Sequence, residues 1–201
     1  MERVTYWRAV PIGAPLSACA FNPAVTLGLV AAGELGVVPA AFRMVCQLFG
    51  GFIGGAVVRA VMDESSFLST LLTSASAVDA TRTTRYQATL LEALLTAPLV
   101  LIHAMEPRQR DAAAARFSYS QSHGSRPTRL LLQTTVNVAR AFGAAAVYAL
   151  FSGHEAVWAQ HYVFWLGPLV GTAAAALLYR LVLAPNDKRL LFTTASETEN
   201  S

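Results

Sequence analysis

The sequence predicts an all-α membrane protein, built as an inverted repeat with two re-entrant half-helices. Three observations carry that expectation. The 201 residues are 54% hydrophobic and only 13% charged, whereas a soluble domain carries about a quarter charged residues. Apolar stretches at Val37–Met62, Ala88–Met105 and Tyr162–Ala184 each come close to the ~20 residues that cross a bilayer. One short pattern also occurs twice. Asn22-Pro23-Ala24 leads to Gly28, and Asn137-Val138-Ala139 leads to Gly143, with Gly six positions after Asn in both copies. Small-residue pairs follow at similar distances, Gly50 with Gly54 and Gly167 with Gly171. A repeat on this scale points to a membrane protein made of two halves, with a substrate site where they meet.

Taken in order, Met1–Leu16 holds Glu2, Arg3 and Arg8 and has no long apolar core, so it does not read as a signal peptide. Asn22 is a good N-cap, and Pro23 fits a first helical turn because its missing N–H is not needed there. A half-helix is therefore expected from Asn22 toward Gly33. Its apolar run, Val25–Ala32, is too short to span, as is Ala141–Phe151 after the second Asn. The stretch Val37–Met62 is interrupted only by Arg43, Gln47 and Arg59, and Ala88–Met105 contains Glu92 and His103. Between them Asp63–Gln87 reads as a Ser/Thr-rich loop. The segment 106–133 holds Arg108, Arg110, Arg116, Arg126 and Arg129; Lys188 and Arg189 follow the last apolar stretch. The positive-inside rule puts both basic regions in the cytoplasm. A further outward crossing is then required between them, although residues 107–136 look too polar for one. The organisation expected is one transmembrane domain over 1–185 and a polar cytoplasmic tail over 186–201.

The chemistry on offer is that of a passage and not of a reaction. No paired carboxylates, metal-ligand cluster or nucleophile–base arrangement stands out, so neither an enzyme nor a cofactor or metal is expected. The net charge of +3 gives no reason to expect nucleic acid. Cys19 and Cys46 form no metal or disulfide pattern and are expected to pack as small apolar residues. Half-helices buried at mid-membrane point positive dipole ends at the bilayer centre. Two such ends face to face make a constriction hostile to cations, while the amides of Asn22 and Asn137 can donate hydrogen bonds to a neutral molecule. Arg140 adds a fixed charge and a fork of donors. These are the parts that a pore selective for water over protons and cations needs. Glu92, inside an apolar helix, is expected to hold backbone N–H groups or a cation. Gln47 is expected to bond across helices, and His103 to sit at the interface.

These residues resemble the major intrinsic proteins, the aquaporins. The match is carried by SACAFNPAVTLG (17–28), QLFGGFIG (47–54), Glu92 in LLEALLTAPLVL, NVARAFG (137–143) and HYVFWLGPLVGTAAAALLY (161–179), in the family's order and with 115 positions between the two Asn. The resemblance implies that Asn22, Pro23, Ala24, Asn137, Val138 and Ala139 form the pore constriction. It also implies that Arg140 and Thr134 belong to the outer selectivity filter, and that Glu92 braces the second half-helix. Glycerol-conducting members usually have Asp after the filter arginine and Pro-Leu where this chain has Phe164-Trp165. Ala141 and Phe164-Trp165 therefore place it nearer the water-conducting branch. The implied setting is a multi-pass protein of the bilayer, in the plasma membrane before internal membranes, as a homo-tetramer or a hetero-oligomer with related channels.

The chain also departs from the family pattern. The first membrane helix is missing, and Met1–Leu16 resembles only a degraded end of the second. The aromatic filter residue of the second helix has no counterpart, and Ala20 stands where the family has His. The fifth helix falls in 116–132, RFSYSQSHGSRPTRLLL, where length is kept and apolarity lost. Val138 replaces the expected Pro and brings an N–H that needs a partner. The expected fold is thus an incomplete aquaporin-like repeat. The function implied is passive transport of water. The alternatives are a non-conducting subunit that associates with full-length channels, and a channel for glycerol or urea.

Overall fold

The computed structural model describes residues 21–67, 84–105, 134–153, 155–184 and 189–190. These residues are helical or connecting, with no strand among them. The first half-helix, α1 (Pro23–Ala31), starts at Asn22, whose side chain accepts from Ala24 N, with Pro23 in the first turn. It ends at Ala32, before Gly33 at φ +80°. The spanning helix α2 is Val37–Val61. A helical turn over 64–67 follows, begun by Asp63, whose carboxylate accepts from the Ser65 hydroxyl and from Ser66 N. Those bonds, the Ser65 bond above all, hold the Asp63 carboxyl well below the usual carboxylate range.

Helix α3 (Arg85–Ala104) opens on a capping box. Thr84 Oγ1 accepts from Gln87 N, and the Gln87 side chain accepts from Thr84 N. This reciprocal pairing satisfies two otherwise orphaned donors, and it draws the helix start into the region read from sequence as loop. The second half-helix, α4 (Val138–Ser152), begins at Asn137 and stops at Gly153 in the left-handed conformation, φ +66°. A 3₁₀ turn over Glu155–Gln160 leads to α5 (Val163–Leu178), which runs on as a π-helical turn over Tyr179–Leu183.

Among the described residues, three helical stretches are long and apolar enough to cross a membrane: Val37–Val61, Arg85–Ala104 and Val157–Leu183. At 1.5 Å per residue, 25 and 20 residues of α2 and α3 reach about 37 and 30 Å, against a hydrocarbon layer of about 30 Å. The chain is an all-α membrane protein. The departures expected in the second and fifth helices, at 1–16 and 116–132, lie outside the described residues. So do Cys19 and the basic segment 106–129.

Each half-helix docks on spanning helices of the other repeat. Helix α1 lies against α3 and α5, and α4 lies against α2. Small residues set these distances. A Cβ on Gly51 would run into the Ala139 backbone, and one on Gly143 into the Gly51 backbone. On α5, a Cβ on Gly167 would meet Glu92 and Thr89, and one on Gly171 would meet Ala93. The two small-residue pairs of the repeat are therefore not used alike. Gly167 and Gly171 seat α5 on α3, whereas Gly50 and Gly54 meet nothing within 4 Å, and Gly51 and Gly55 make the contact to α4. The cause is helical phase, since one residue is about 100° of rotation. Cys46 is exposed on α2, not packed as expected.

Candidate pore junction

The junction begins with the orphan donors of two helix starts. The first N–H groups of a helix have no partner inside it, and in a bilayer no solvent replaces one. In α1, Asn22 Oδ1 accepts from Ala24 N at 3.1 Å. In α4, Asn137 Oδ1 accepts from Ala139 N at 3.0 Å and from Arg140 N at 3.2 Å. Both Asn are extended, with φ −134° and −141°, the geometry an N-cap requires.

The two caps also bond to each other's segment. Asn22 Nδ2 donates to Val136 O at 2.5 Å, and Asn22 Oδ1 accepts from Val138 N at 3.3 Å. In return, Asn137 Nδ2 donates to Phe21 O at 3.2 Å. The half-helices therefore meet N-terminus to N-terminus. The N–H that Val138 brings in place of proline has its partner in Asn22. Asn22 is buried at 5% exposure, and Asn137 is half-buried.

Glu92 lies beneath the segment that leads into α4, at 1% exposure. Its Oε1 accepts from Thr135 N at 2.6 Å and from the Thr135 hydroxyl at 3.3 Å, and its Oε2 accepts from Val136 N at 2.9 Å. The carboxylate thus holds backbone N–H groups, one of the two roles expected of it. Val136, between Glu92 and Asn22, has φ +49°. A β-branched residue there is an outlier that costs roughly 1–3 kcal/mol and persists only where its surroundings over-determine it. Here a carboxylate fixes its N–H and a carboxamide fixes its carbonyl.

A polar lattice anchors α1 to its neighbours. Gln47 Nε2 donates to Thr26 Oγ1 at 2.8 Å, which in turn donates to Asn22 O at 3.2 Å. Thr172 Oγ1 donates to Ala24 O at 3.2 Å. Gln47 thus bonds across helices as expected. His103, in the last turn of α3, is buried, with Nδ1 2.8 Å from Leu99 O. Of the filter positions, Thr134 is half-buried and Arg140 is exposed in the first turn of α4.

Ala141 and Phe164, two of the three residues expected from the sequence to bear on the solute, pack together as a buried pair, 0% and 2% exposed. Around them Phe142 meets Trp165 edge-on at 6.4 Å and Trp158 at 6.1 Å, while His161 meets Trp158 at 4.8 Å. This aromatic layer fastens α4 to the start of α5. Sequence reasoning did not single out Thr26, Thr135, Val136 or Thr172. The two Thr inside matched blocks read as ordinary helix residues, and a Val gives no signal for a positive φ.

The family model described as Major intrinsic protein matches residues 7–179. Aquaporin-5 of Sus scrofa is 31% identical over 181 residues, covering 88% of this chain and 64% of its own length. Aquaporin-1 of Sus scrofa is 31% identical over 186 residues, with 87% and 62% covered. Aquaporin PIP2-7 of Musa acuminata is 29% identical over 173 residues, with 81% and 58% covered. The chain therefore spans about three-fifths of the length of these curated relatives.

Proposed function

The chain belongs to the major intrinsic protein family, and from that premise we propose that it forms an aquaporin-like pore for the passive passage of water. The observation that carries this reading is the junction of two opposed half-helix N-termini, each capped by an Asn whose Nδ2 donates across it. The positive ends of two helix dipoles disfavour cations there. Asn22 and Asn137 orient a neutral acceptor, with Pro23, Ala24, Val138 and Ala139 shaping the constriction. Arg140 and Thr134 form the outer filter, and Glu92 braces α4. The pore region extends over 1–185, with 186–201 a cytoplasmic tail, in the plasma membrane.

Water is preferred over glycerol or urea because Ala141 and Phe164-Trp165 stand where glycerol-conducting members of the family usually have Asp and Pro-Leu. The test is vesicle shrinkage under osmotic shock. Liposomes containing the protein should shrink faster than protein-free liposomes of the same lipid. Equal rates, with the protein inserted and folded, overturn water conduction. A second reading, a non-conducting subunit that joins related channels, draws on the α2 face. Val38, Phe42, Val45, Phe49, Ile53 and Val57 are each more than half exposed there. Equal shrinkage rates together with stable co-purification of a full-length relative favour that reading.

A further inference from the structure

The two Asn occupy matching places in the repeat, but their bonding across the junction is not symmetric. The Asn22 carboxamide docks on the opposing segment through two bonds, Nδ2 to Val136 O and Oδ1 from Val138 N. Residues 136 and 138 flank Asn137, so the carboxamide pairs with the backbone as a neighbouring strand would. The reverse docking has only one bond, Asn137 Nδ2 to Phe21 O. Its second bond would need an N–H at residue 23, and Pro23 has none. Burial follows the same order, with Asn22 at 5% exposure and Asn137 half-buried.

The acceptor oxygens reach the same end by different routes. Asn137 Oδ1 takes two N–H groups of its own half-helix, Ala139 and Arg140. Asn22 Oδ1 takes one from its own half-helix, Ala24, and the other from Val138. Without an N–H at 138, Asn22 would keep a single docking bond and an unfilled acceptor position. We propose that Val138 is a positioning residue: its backbone N–H locks the Asn22 carboxamide across the junction and leaves Asn137 as the amide that responds to the passing solute. This deepens the channel reading and rests on it for the word solute; the lock itself does not.

The test compares the wild type with Val138→Ala and Val138→Pro in the full chain in detergent micelles, read by side-chain amide NMR and hydrogen exchange. Alanine keeps the N–H. Proline removes it at the first helical position, where its ring is well accommodated, and Asn137, at φ −141° and ψ 106°, already has the extended conformation proline asks of the residue before it. The variant is therefore expected to keep α4, and unchanged amide resonances from Phe142 onward check this. In the wild type and Val138→Ala, the Asn22 carboxamide protons should exchange several-fold to about tenfold more slowly than those of Asn137, the scale of the one extra docking bond. In Val138→Pro that gap should close to about twofold or less, with the Asn137 resonances unmoved. Equal exchange of the two carboxamides in the wild type overturns the proposal, as does a gap that survives the proline variant. Osmotic flux of the wild type is measured separately. A flat flux sinks the channel reading and leaves the exchange order to decide the lock.

Discussion

Glu92 is the residue whose removal tests the junction most directly. Its carboxylate carries the N–H groups of Thr135 and Val136, at 2.6 and 2.9 Å. Neither N–H has a helical partner, because both precede α4. Glu92→Gln keeps the size of the side chain but turns one oxygen into an NH₂ that faces a backbone donor. One buried N–H is then orphaned, at a cost of about 1–3 kcal/mol. Glu92→Ala orphans both, about 2–6 kcal/mol by the same scale, and leaves space beside Gly167, where the Glu92 Cβ now packs. Lifting the desolvation of a buried carboxylate offsets part of this. Two dipoles aimed into an apolar pocket remain, and the +49° φ of Val136 loses one of its two clamps. The expected order of stability is wild type, then Gln, then Ala. For a chain of this size each kcal/mol moves the melting temperature by about 2–4 °C. The assay is thermal unfolding in detergent, with hydrogen exchange at Thr135 and Val136 as the local readout. If both variants melt with the wild type and exchange at these two amides is unchanged, the bracing argument is refuted.

Replacing Arg140 with Val should admit cations or protons while water flux survives, because a fixed charge in a narrow low-dielectric passage raises the barrier for positive charge above all; paired osmotic and conductance measurements on one membrane preparation check it. Ala141→Asp should destabilise the chain by about 2 kcal/mol or more, since a carboxyl would enter a 0% exposed site against Phe164 without a partner; Ala141→Asp with Phe164→Leu should recover part of that loss in a melting experiment. Gly51→Ala should cost about 1–3 kcal/mol by overpacking, because its Cβ would land on the Ala139 carbonyl, whereas Gly54→Ala meets open space and should be neutral or mildly stabilising; equal melting of the two variants contradicts the described α2–α4 contact.

Much of the framework was legible in the sequence, for identifiable reasons. Half-helices were readable because Asn followed by a short apolar run is both a start signal and too short to span. Spanning helices were readable by length alone. The role of Glu92 followed from the cost of an unpaired carboxylate among apolar residues, which forces a partner into reach. The partner of the Val138 N–H was not readable, because it depends on how two segments more than a hundred positions apart meet. Helical phase also escaped the sequence. Gly50 and Gly51, like Gly54 and Gly55, are adjacent in the chain, and only the docked α4 decides which of each pair is covered. Nothing in the sequence reports the left-handed Val136, since a Val there contradicts local preference and is imposed by Glu92 and Asn22.

The account of backbone donors says where the junction can act on a solute. Of the N–H groups from Thr135 to Ala141 other than that of Asn137, Thr135 and Val136 go to Glu92, Val138 to Asn22 Oδ1, Ala139 and Arg140 to Asn137 Oδ1, and Ala141 to Asn137 O. A membrane interior forces such pairing, because an orphaned N–H in hydrocarbon costs several kcal/mol. The donors left over are few. Each Asn carboxamide carries two N–H groups and spends one across the junction. Each carboxamide thus keeps one N–H beyond its junction bond, and by the lock proposed above it is that of Asn137, the less buried of the two, that is left for a solute. In the proposed pore, that N–H would take the oxygen of an incoming water at the point where both positive helix ends converge. On the proposed reading, the barrier to positive charge at this point comes from the two converging helix dipoles.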